Sequence, residues 1–213
     1  MKIVVVDYGI GNVQSIFNAL SKFKDVDVIL SDSQDEIMSA DGLILPGVGA
    51  FKRAMRELKR RNLPNVLERY ILQKEGVFLG ICLGMQLLFE SSEEFGYTEG
   101  LGFIKGSVEY FPRDVSDKLP HVSWNSIEMQ ELNWNDTIFS GIKNKDDFYF
   151  VHSYICKPNN LDIILSKTEY GGINFCSSIQ QGNIYACQFH PEKSANSGLN
   201  VMKNFIDIVK KGK

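Results

Sequence analysis

The chain has 213 residues, of which 44% are hydrophobic and 23% charged, and its formal net charge at pH 7 is −3. A chain of this length buries enough surface to fold without disulfide or metal support. The acidic balance gives no electrostatic reason to expect nucleic acid, and no apolar run approaches the ~18 residues of a membrane span. We expect one domain over residues 1–213, with no membrane partner and, because the N-terminus is too short for a signal peptide, a cytoplasmic location.

The first 90 residues alternate between strand and helix patterns. Four short apolar runs predict buried strands: Ile3–Val6, Val26–Leu30, Gly42–Leu45 and Val77–Ile81. Apolar residues at helical spacing predict helices over Val13–Leu20, Phe51–Leu58 and Leu83–Glu90. Pro64 stands where a further helix could begin. This alternation predicts an α/β fold with a flavodoxin-like parallel sheet flanked by helices.

After about residue 100 the pattern changes to short strand-like runs broken by proline, glycine and asparagine. The runs are Ser107–Phe111, Val122–Met129, Phe148–Ile155, Ile163–Lys167, Ile173–Ile179 and Ile184–Gln188. They predict an additional mixed or antiparallel sheet in the C-terminal half. Apolar residues from Leu199 to Val209 predict a closing amphipathic helix.

Three segments should meet at one edge of the predicted parallel sheet. Asp7–Gly9, Pro46–Gly49 and Cys82 each follow directly on a predicted parallel strand. Ligands of such sheets bind outside the carboxyl ends of the strands. We therefore expect the functional site there.

Cys82 is the candidate nucleophile. Its neighbours, Gly80-Ile81-Cys82-Leu83-Gly84, form the G-x-nucleophile-x-G pattern of a strained turn between a strand and a helix. The glycines let strand and helix approach closely, and the helix N-terminus favours the thiolate. The four cysteines lie far apart and form no CxxC pair, which argues against a disulfide framework or a zinc site and fits a reducing cytoplasm.

His190 is the candidate base, because it follows the strand-like run Ile184–Gln188 and so could face the same edge as Cys82. Glu192, two residues further on, is suited to orient the imidazole, which predicts a Cys-His-Glu relay. The other histidines, His121 and His152, lie within aromatic-rich strand segments and are expected to be structural or to line the site.

Acyl transfer also needs hydrogen-bond donors for the tetrahedral oxyanion. The amide of Leu83 is one candidate and that of Val48, between two glycines, is the other. A β–α turn with packing glycines is the alternative interpretation of the Val48 segment. A dinucleotide site at Gly9-Ile10-Gly11 is not supported, because the third glycine of that motif would fall on Gln14.

Six segments occur in an order that resembles a known family. They are Asp7–Asn12, Pro46–Phe51, Gly80–Gln86, Pro120–Asn125, Phe148–Tyr154 and Phe189–Ser194. Together they resemble the glutaminase subunits of imidazole glycerol phosphate synthases, a branch of the triad-type glutamine amidotransferases. The resemblance spans residues 3 to 206; the Pro46, Pro120 and Phe148 segments are what single out this branch.

The resemblance implies a role for each matching residue. Cys82, His190 and Glu192 would be catalytic, and Val48 and Leu83 would supply the oxyanion donors. The residues expected to hold glutamine are Gly47, Gln86, Glu94, Ser153 and Tyr154, with backbone of His152. The residues expected near the partner are Asn12, Trp124, Tyr149 and Lys193. No cofactor or metal is implied.

The resemblance also implies the reaction and the partner. The subunit would hydrolyse L-glutamine to glutamate and ammonia, and a (β/α)8 cyclase subunit would use the ammonia to make imidazole glycerol phosphate and an aminoimidazole carboxamide ribotide. The family usually has glycine at the position of Ser123. This departure leaves open a paralogous amidotransferase that supplies a different synthase, such as one that modifies a surface sugar. A cysteine peptidase or chaperone-like hydrolase, and an inactive binding subunit, fit less well because Gln86, Glu94, Cys82 and His190 are all present.

Overall fold

The computed structural model describes residues 1–130 and 134–212 as helices and strands joined by short connections. The helices are α1 (Val13–Leu20), α2 (Gln34–Ser39), α3 (Phe51–Arg60), α4 (Leu63–Glu68), α5 (Leu83–Leu87) and α6 (Ala195–Lys211). The strands are β1 (Lys2–Val6), β2 (Asp27–Ser31), β3 (Gly42–Leu45), β4 (Val77–Ile81), β5 (Phe89–Ser92), β6 (Thr98–Glu99), β7 (Ile104–Tyr110), β8 (His121–Ser126), β9 (Glu128–Met129), β10 (Asp147–His152), β11 (Tyr154–Pro158), β12 (Ile164–Tyr170), β13 (Ile173–Gln181) and β14 (Ile184–Cys187).

The N-terminal half builds the parallel part of the main sheet, in the order β2-β1-β3-β4-β14. This is the strand order of flavodoxin-like folds, and it confirms the predicted fold class. Successive residues of β1 face two different cores: Ile3 and Val5 pack on one side of the sheet, Val4 and Val6 on the other. Burial on both faces explains why this strand is a continuous β-branched run.

The C-terminal half extends the sheet through strands that are mostly antiparallel. From β14 the order continues β13-β11-β7-β5-β6, with β12 on β13 and β9 on β12; only β5 and β7 pair in parallel in this extension. β8 and β10 form a separate antiparallel pair. The predicted additional sheet is therefore present, although most of it is continuous with the parallel part.

Three predicted elements differ from the structure, and one helix was not predicted. The strand predicted over Phe148–Ile155 is broken at Ser153, because β10 pairs with β8 whereas β11 pairs with β7 and β13. The strand predicted over Val122–Met129 is likewise two strands. The helix predicted to reach Glu90 ends at Leu87, since Phe89–Ser92 is drawn into the sheet beside β7. Helix α2 was not predicted.

The short helix α5 packs tightly on β3, and Gly84 makes this possible. A Cβ atom at Gly84 would overlap the carbonyl oxygen of Leu45, and one at Gly80 would lie 3.0 Å from the carbonyl oxygen of Gly84. The two glycines flanking Cys82 therefore have a packing role: they bring the residues after β4 close to the end of β3.

We expect Gly84→Ala to lower the free energy of unfolding by at least about 2 kcal/mol, because backbone overlap cannot be relieved by a rotamer change. Urea unfolding would measure the loss. Gly212→Ala is the matched control, since a Cβ there would meet only ordinary contacts of 3.7–4.0 Å, and it should change stability by less than about 0.5 kcal/mol. Equal stabilities of the two variants would contradict the packing argument.

Candidate active site

A cavity of about 510 Å³ opens at the carboxyl ends of the parallel strands, where the sequence predicted the site. Its lining includes Cys82 and residues from the segment after β3, from the segment after β5 and from the break between β10 and β11. The lining residues are Val48, Gly49, Ala50, Cys82, Leu83, Gln86, Glu94, Phe95, Tyr110, Pro120, Val151, His152, Ser153 and Tyr154. Six of the predicted site residues are therefore brought together around the thiol.

Cys82 occupies the strained turn that the glycine pattern predicted. Its backbone has φ 54° and ψ −112°, a conformation that costs a residue with a Cβ on the order of 1–3 kcal/mol. The Cys82 N–H donates to the carbonyl of Cys187, at 2.8 Å, which extends the pairing of β4 with β14 by one residue. The turn therefore presents the sulfur at the sheet edge.

His190 and Glu192 form a buried pair beside Cys82. Nδ1 of His190 lies 2.9 Å from Oε1 of Glu192, and only 2% and 1% of the two side chains are exposed. Burial lowers the pKa of His190, but the charge of Cys82, contact with it and the Glu192 carboxylate outweigh burial and raise the pKa to about 10. These contacts therefore favour the imidazolium form of the ring, with Nδ1 held by its carboxylate. Its other nitrogen, Nε2, is buried without a hydrogen-bond partner in the described part of the chain.

The backbone around Tyr149 holds the His190 segment in place. The N–H of His190 donates to the carbonyl of Tyr149 at 2.9 Å. The hydroxyl of Ser194 donates to the carbonyl of His190 at 2.6 Å and accepts from the N–H of Tyr149 at 2.9 Å. Strand β10 therefore holds the segment of the candidate base through two hydrogen bonds from Tyr149, and the third joins Ser194 to His190 within that segment.

His121 and His152 belong to a hydrogen-bonded chain that runs beside the cavity. Nδ1 of His152 lies 2.9 Å from the carbonyl of Tyr154, which can only accept, so Nδ1 carries the proton. Nε2 of His152 must then accept from Nδ1 of His121, at 3.1 Å, and Nε2 of His121 accepts from the Ser123 hydroxyl, at 3.0 Å. This assignment needs both rings to be neutral.

The environment of the two rings agrees with this neutral assignment. Burial lowers the pKa of His121 to about 4 and that of His152 to about 3. Nε2 of His121, which faces the Ser123 hydroxyl, and Nε2 of His152, which faces His121, are therefore both unprotonated acceptors. The expectation that these histidines are structural or line the site fits their geometry.

Gly47, Val48 and Gly49 have different roles in the Pro46–Gly49 loop at the edge of the cavity. Gly47 is buried, and a Cβ there would lie 2.9 Å from both the Leu83 side chain and the Tyr8 hydroxyl. Val48 is exposed and lines the cavity, and Gly49 has φ +88° with open space around it. Gly47 is thus required by close packing and Gly49 by its backbone conformation. Leu83 lines the cavity as the first residue of α5, where helix geometry leaves its N–H without an intrahelical partner.

Gln86 and Glu94, which the resemblance assigns to glutamine, both line the cavity. Nε2 of Gln86 donates to the carbonyl of Tyr154 at 3.2 Å and to Oε1 of Gln188 at 2.9 Å. Oε2 of Glu94 accepts from the N–H of Phe51 at 2.5 Å. Burial raises the pKa of Glu94, and this hydrogen bond opposes the shift. Gln188 was not predicted as a site residue, although it directly follows β14 and lies two residues before His190.

Three of the four predicted partner residues form one surface cluster. Trp124 and Tyr149 are cross-strand neighbours on β8 and β10, with ring centroids 6.2 Å apart. Nζ of Lys193 lies 5.7 Å from the Tyr149 ring centroid, a cation–π contact. Asn12 lies at the start of α1, and its side chain does not cap that helix.

Residues 1–130 and 134–212 contain no group of three histidine, cysteine or carboxylate side chains that could hold a metal ion. Within the same ranges, every helix is too short or too polar to cross a membrane.

Comparison with known proteins gives matches over nearly the whole chain. The family profile described as glutamine amidotransferase class-I matches residues 4–209. The chain is 46% identical to "Imidazole glycerol phosphate synthase subunit HisH 2" of Vibrio vulnificus, covering 99% of this chain and 96% of that protein. It is 45% identical to "Imidazole glycerol phosphate synthase subunit HisH" of Aquifex aeolicus, covering 96% of each. Among solved structures, PurLQS from Thermotoga maritima shares the fold with a TM-score of 0.72 at 17% identity, over 97% of each chain.

We expect Glu192→Gln to lower the pKa of His190 by at least about one unit, because an adjacent opposite charge favours the imidazolium by that amount or more. Nitrogen-15 NMR titration of the histidines would measure it. In the unmodified chain the His190 imidazolium is favoured up to pH about 10, so at pH 7 only this ring should be charged.

The control is Glu128→Gln, which removes a surface carboxylate paired with Lys145 and should leave all three histidines unchanged. A neutral His190 at pH 7, or a midpoint that Glu192→Gln does not move, would contradict the ion-pair assignment.

Proposed function

The chain belongs to the class-I glutamine amidotransferase family, and we propose that it is the glutaminase subunit of an imidazole glycerol phosphate synthase in histidine biosynthesis. Its relatives of that name align with it along nearly their whole length. The observation that carries the proposal is the juxtaposition of the strained Cys82 turn with the buried His190–Glu192 pair beside one cavity. The catalytic unit is one domain over residues 1–213.

The arrangement suits acyl transfer from the amide of L-glutamine. The Cys82 thiolate attacks the side-chain carbonyl, and the His190 imidazolium gives its proton to the nitrogen as the C–N bond breaks and ammonia leaves. A water molecule then attacks the thioester and gives a proton to the now neutral His190. The C–S bond breaks, and glutamate, the thiolate and the imidazolium result. Glu192 orients the ring and stabilises its charge in both halves of the reaction.

Different groups of the cavity lining are suited to bind the α-amino end and the side-chain amide of glutamine. Both amide protons of Gln86 are engaged by Tyr154 and Gln188, so its carbonyl oxygen is the atom available to accept from the α-ammonium of the substrate. Glu94 adds a carboxylate on the same cavity. Backbone groups of Ser153 and Tyr154 complete this end, and the amides of Val48 and Leu83 receive the oxyanion.

We place a cyclase subunit of (β/α)8 type on the surface formed by Asn12, Trp124, Tyr149 and Lys193. Two observations support this choice. The outward side chains of β8 are apolar and exposed, Val122 by 50% and Trp124 by 49%. The same small sheet is hydrogen-bonded to the His190 segment through Tyr149. A partner bound there would lie beside the catalytic base and could receive ammonia directly.

The serine at position 123 does not disturb this surface. Ser123 and His121 lie on the same side of β8, and the hydroxyl is turned toward the His121 ring. Val122 and Trp124 occupy the outward positions. The departure from glycine therefore affects internal hydrogen bonding, and the surface side chains remain available to a cyclase. The alternative, a paralogue serving a different synthase, has no observation in its favour beyond this residue. Four unpaired cysteines fit the cytoplasmic setting of the pathway.

We expect Cys82→Ala to abolish glutamine-dependent synthesis by the complex and to leave ammonium-dependent synthesis intact, because only ammonia production needs the thiolate. Cyclase product would be assayed with glutamine and, separately, with an ammonium salt. Cys176→Ala, which removes a thiol outside the cavity, should retain both activities. Loss of the ammonium-supported reaction in Cys82→Ala would contradict the proposed division between the subunits.

We also expect the isolated chain to hydrolyse glutamine poorly, with the bound partner and an acceptor analogue raising the rate by at least about 10², the value of one oxyanion donor. The reason is the Gly47–Val48 peptide, which glycines flank on both sides, so that flipping it to turn the Val48 N–H costs little; Gly49 has a positive φ and open space around it. Glutamate release would be measured with and without the partner.

Gly49→Ala should lose most of this activation, because a Cβ disfavours the required backbone conformations. Gly141→Ala is the control, since Gly141 also has a positive φ in open space but lies outside the cavity. Equal glutamate release by the lone chain and the complex would show that the loop is preformed.

A further inference from the structure

Gln188 is brought beside Cys82 by the register of two parallel strands. Cys187 of β14 pairs with Ile81 of β4, and the carbonyl of Cys187 accepts from the N–H of Cys82. The residue that follows β14 is Gln188 and the residue that follows β4 is Cys82, so these two residues are neighbours. Phe189 belongs to the same core cluster as Cys187, whereas its neighbours Gln188 and His190 contact Cys82 and Glu192.

The orientation of the Gln188 amide follows from its neighbours. Nε2 of Gln86 gives one proton to the Tyr154 carbonyl, which can only accept. Its second proton is directed at Gln188, so the atom of Gln188 that faces it, at 2.9 Å, must be the oxygen Oε1. Nε2 of Gln188 then points toward Sγ of Cys82, at a distance of 3.7 Å. The hydrogen-bond pattern thus aims an N–H donor at the nucleophile.

The Cys82 sulfur has two further polar neighbours: the His190 ring described above, and the carbonyl of Val151, whose effect is opposite to that of Gln188. The carbonyl oxygen of Val151 lies 3.9 Å from Sγ and can accept from a thiol but repels a thiolate. Gln188 can donate to either form and interacts more strongly with the charged one. It is fully buried and is not part of the cavity lining, so it acts on the sulfur and not on glutamine.

We propose that Gln188 is a positioning residue for the nucleophile: its amide, held by Gln86, donates to the Cys82 thiolate and keeps the sulfur in its attacking position. The proposal rests on the proposed function for the identity of the nucleophile. It links the two ends of the site, because Gln86 contacts both the Tyr154 carbonyl at the glutamine cavity and the amide that holds the sulfur.

The hydrogen bond should matter most when the sulfur is charged. A thioester sulfur is a much poorer acceptor, so the Gln188 contact weakens when the acyl-enzyme forms and strengthens again when the thiolate is released. Without the amide, the thiolate would keep the His190 imidazolium but lose its only neutral donor among the described residues. Its population at neutral pH should fall, and its side chain should be less well fixed.

Alkylation of Cys82 by iodoacetamide as a function of pH measures this directly, without glutamine or a partner. The other three thiols should stay unreactive at neutral pH, because burial raises the pKa of Cys176 to about 12 and those of Cys156 and Cys187 well above the usual range. Mass spectrometry of the labelled peptide would follow Cys82 alone.

Three groups near Cys82 should not titrate between pH 5 and 9, and a fourth, Glu94, whose pKa burial raises, is unchanged in every variant. Burial raises the pKa of Tyr8, which lies after β1, and lowers that of His152 on β10 to about 3. The pKa of His190, after β14, is raised to about 10, and its carboxylate partner is Glu192. A change in the midpoint of the profile therefore reports on the sulfur and its donors.

Gln188→Met removes the donor at nearly constant volume. A hydrogen bond to a charged group is worth enough to move the alkylation midpoint up by about one pH unit, and glutamate release by the complex should fall about tenfold. Gln188→Glu keeps the acceptor toward Gln86 but places a carboxylate near the sulfur, so it should move the midpoint further in the same direction. Gln180→Met is the control, because the Gln180 amide donates to the Tyr185 hydroxyl and Gln180 lies outside the cavity lining.

Superimposable profiles of the unmodified chain and a folded Gln188→Met variant would overturn the proposal. Thermal unfolding would establish that the variant is folded; if it is not, an unchanged midpoint in Gln188→Glu overturns the proposal equally. The alkylation result is independent of the proposed function. A chain that shifts its midpoint in Gln188→Met but releases no glutamate with any cyclase would refute the function and leave the Gln188 contact standing.

Discussion

The parallel pairing of β4 with β14 is the constraint on which the rest of the site depends. It places the residue after Ile81 next to the residue after Cys187, and so sets Cys82 beside Gln188, with His190 two positions further on. Cys82 is more than a hundred positions away from Gln188 in the sequence. A shift of one residue in register would turn Gln188 and His190 to the opposite face of the sheet. The β4 turn then needs Gly84, because no side chain fits between α5 and the end of β3.

Electrostatics divides the three histidines into two kinds. His190 has a carboxylate on one nitrogen and the nucleophile nearby, which favours the imidazolium despite burial. His121 and His152 are buried without a comparable acceptor, and a directed chain of hydrogen bonds from Ser123 to the Tyr154 carbonyl satisfies them as neutral rings. The same residue type is therefore charged beside a carboxylate and the candidate nucleophile, and neutral where a charge would have no partner.

The Tyr154 carbonyl and the Tyr149 backbone connect the surface to the chemistry. The Tyr154 carbonyl accepts hydrogen bonds from both Gln86 and His152. The Tyr149 carbonyl accepts from the N–H of His190, and Tyr149 lies on β10, the strand that carries part of the exposed aromatic cluster. Both lie close to Ser153, where the chain leaves one sheet and enters another. A partner that moves β10 by a small amount would act on the candidate base through backbone hydrogen bonds, without contacting it.

Local patterns were enough to predict much of this protein from its sequence. The β-branched run of β1 and the helical spacing of α3 predicted the parallel layer, and the glycines around Cys82 predicted a strained nucleophile turn, because each pattern reflects geometry within about ten residues. The break at Ser153, the early end of α5 and the contact of Gln188 with Cys82 could not be predicted in this way. Each depends on which strands pair across the sheet, and that choice is decided by the packing of distant segments, which no local periodicity records.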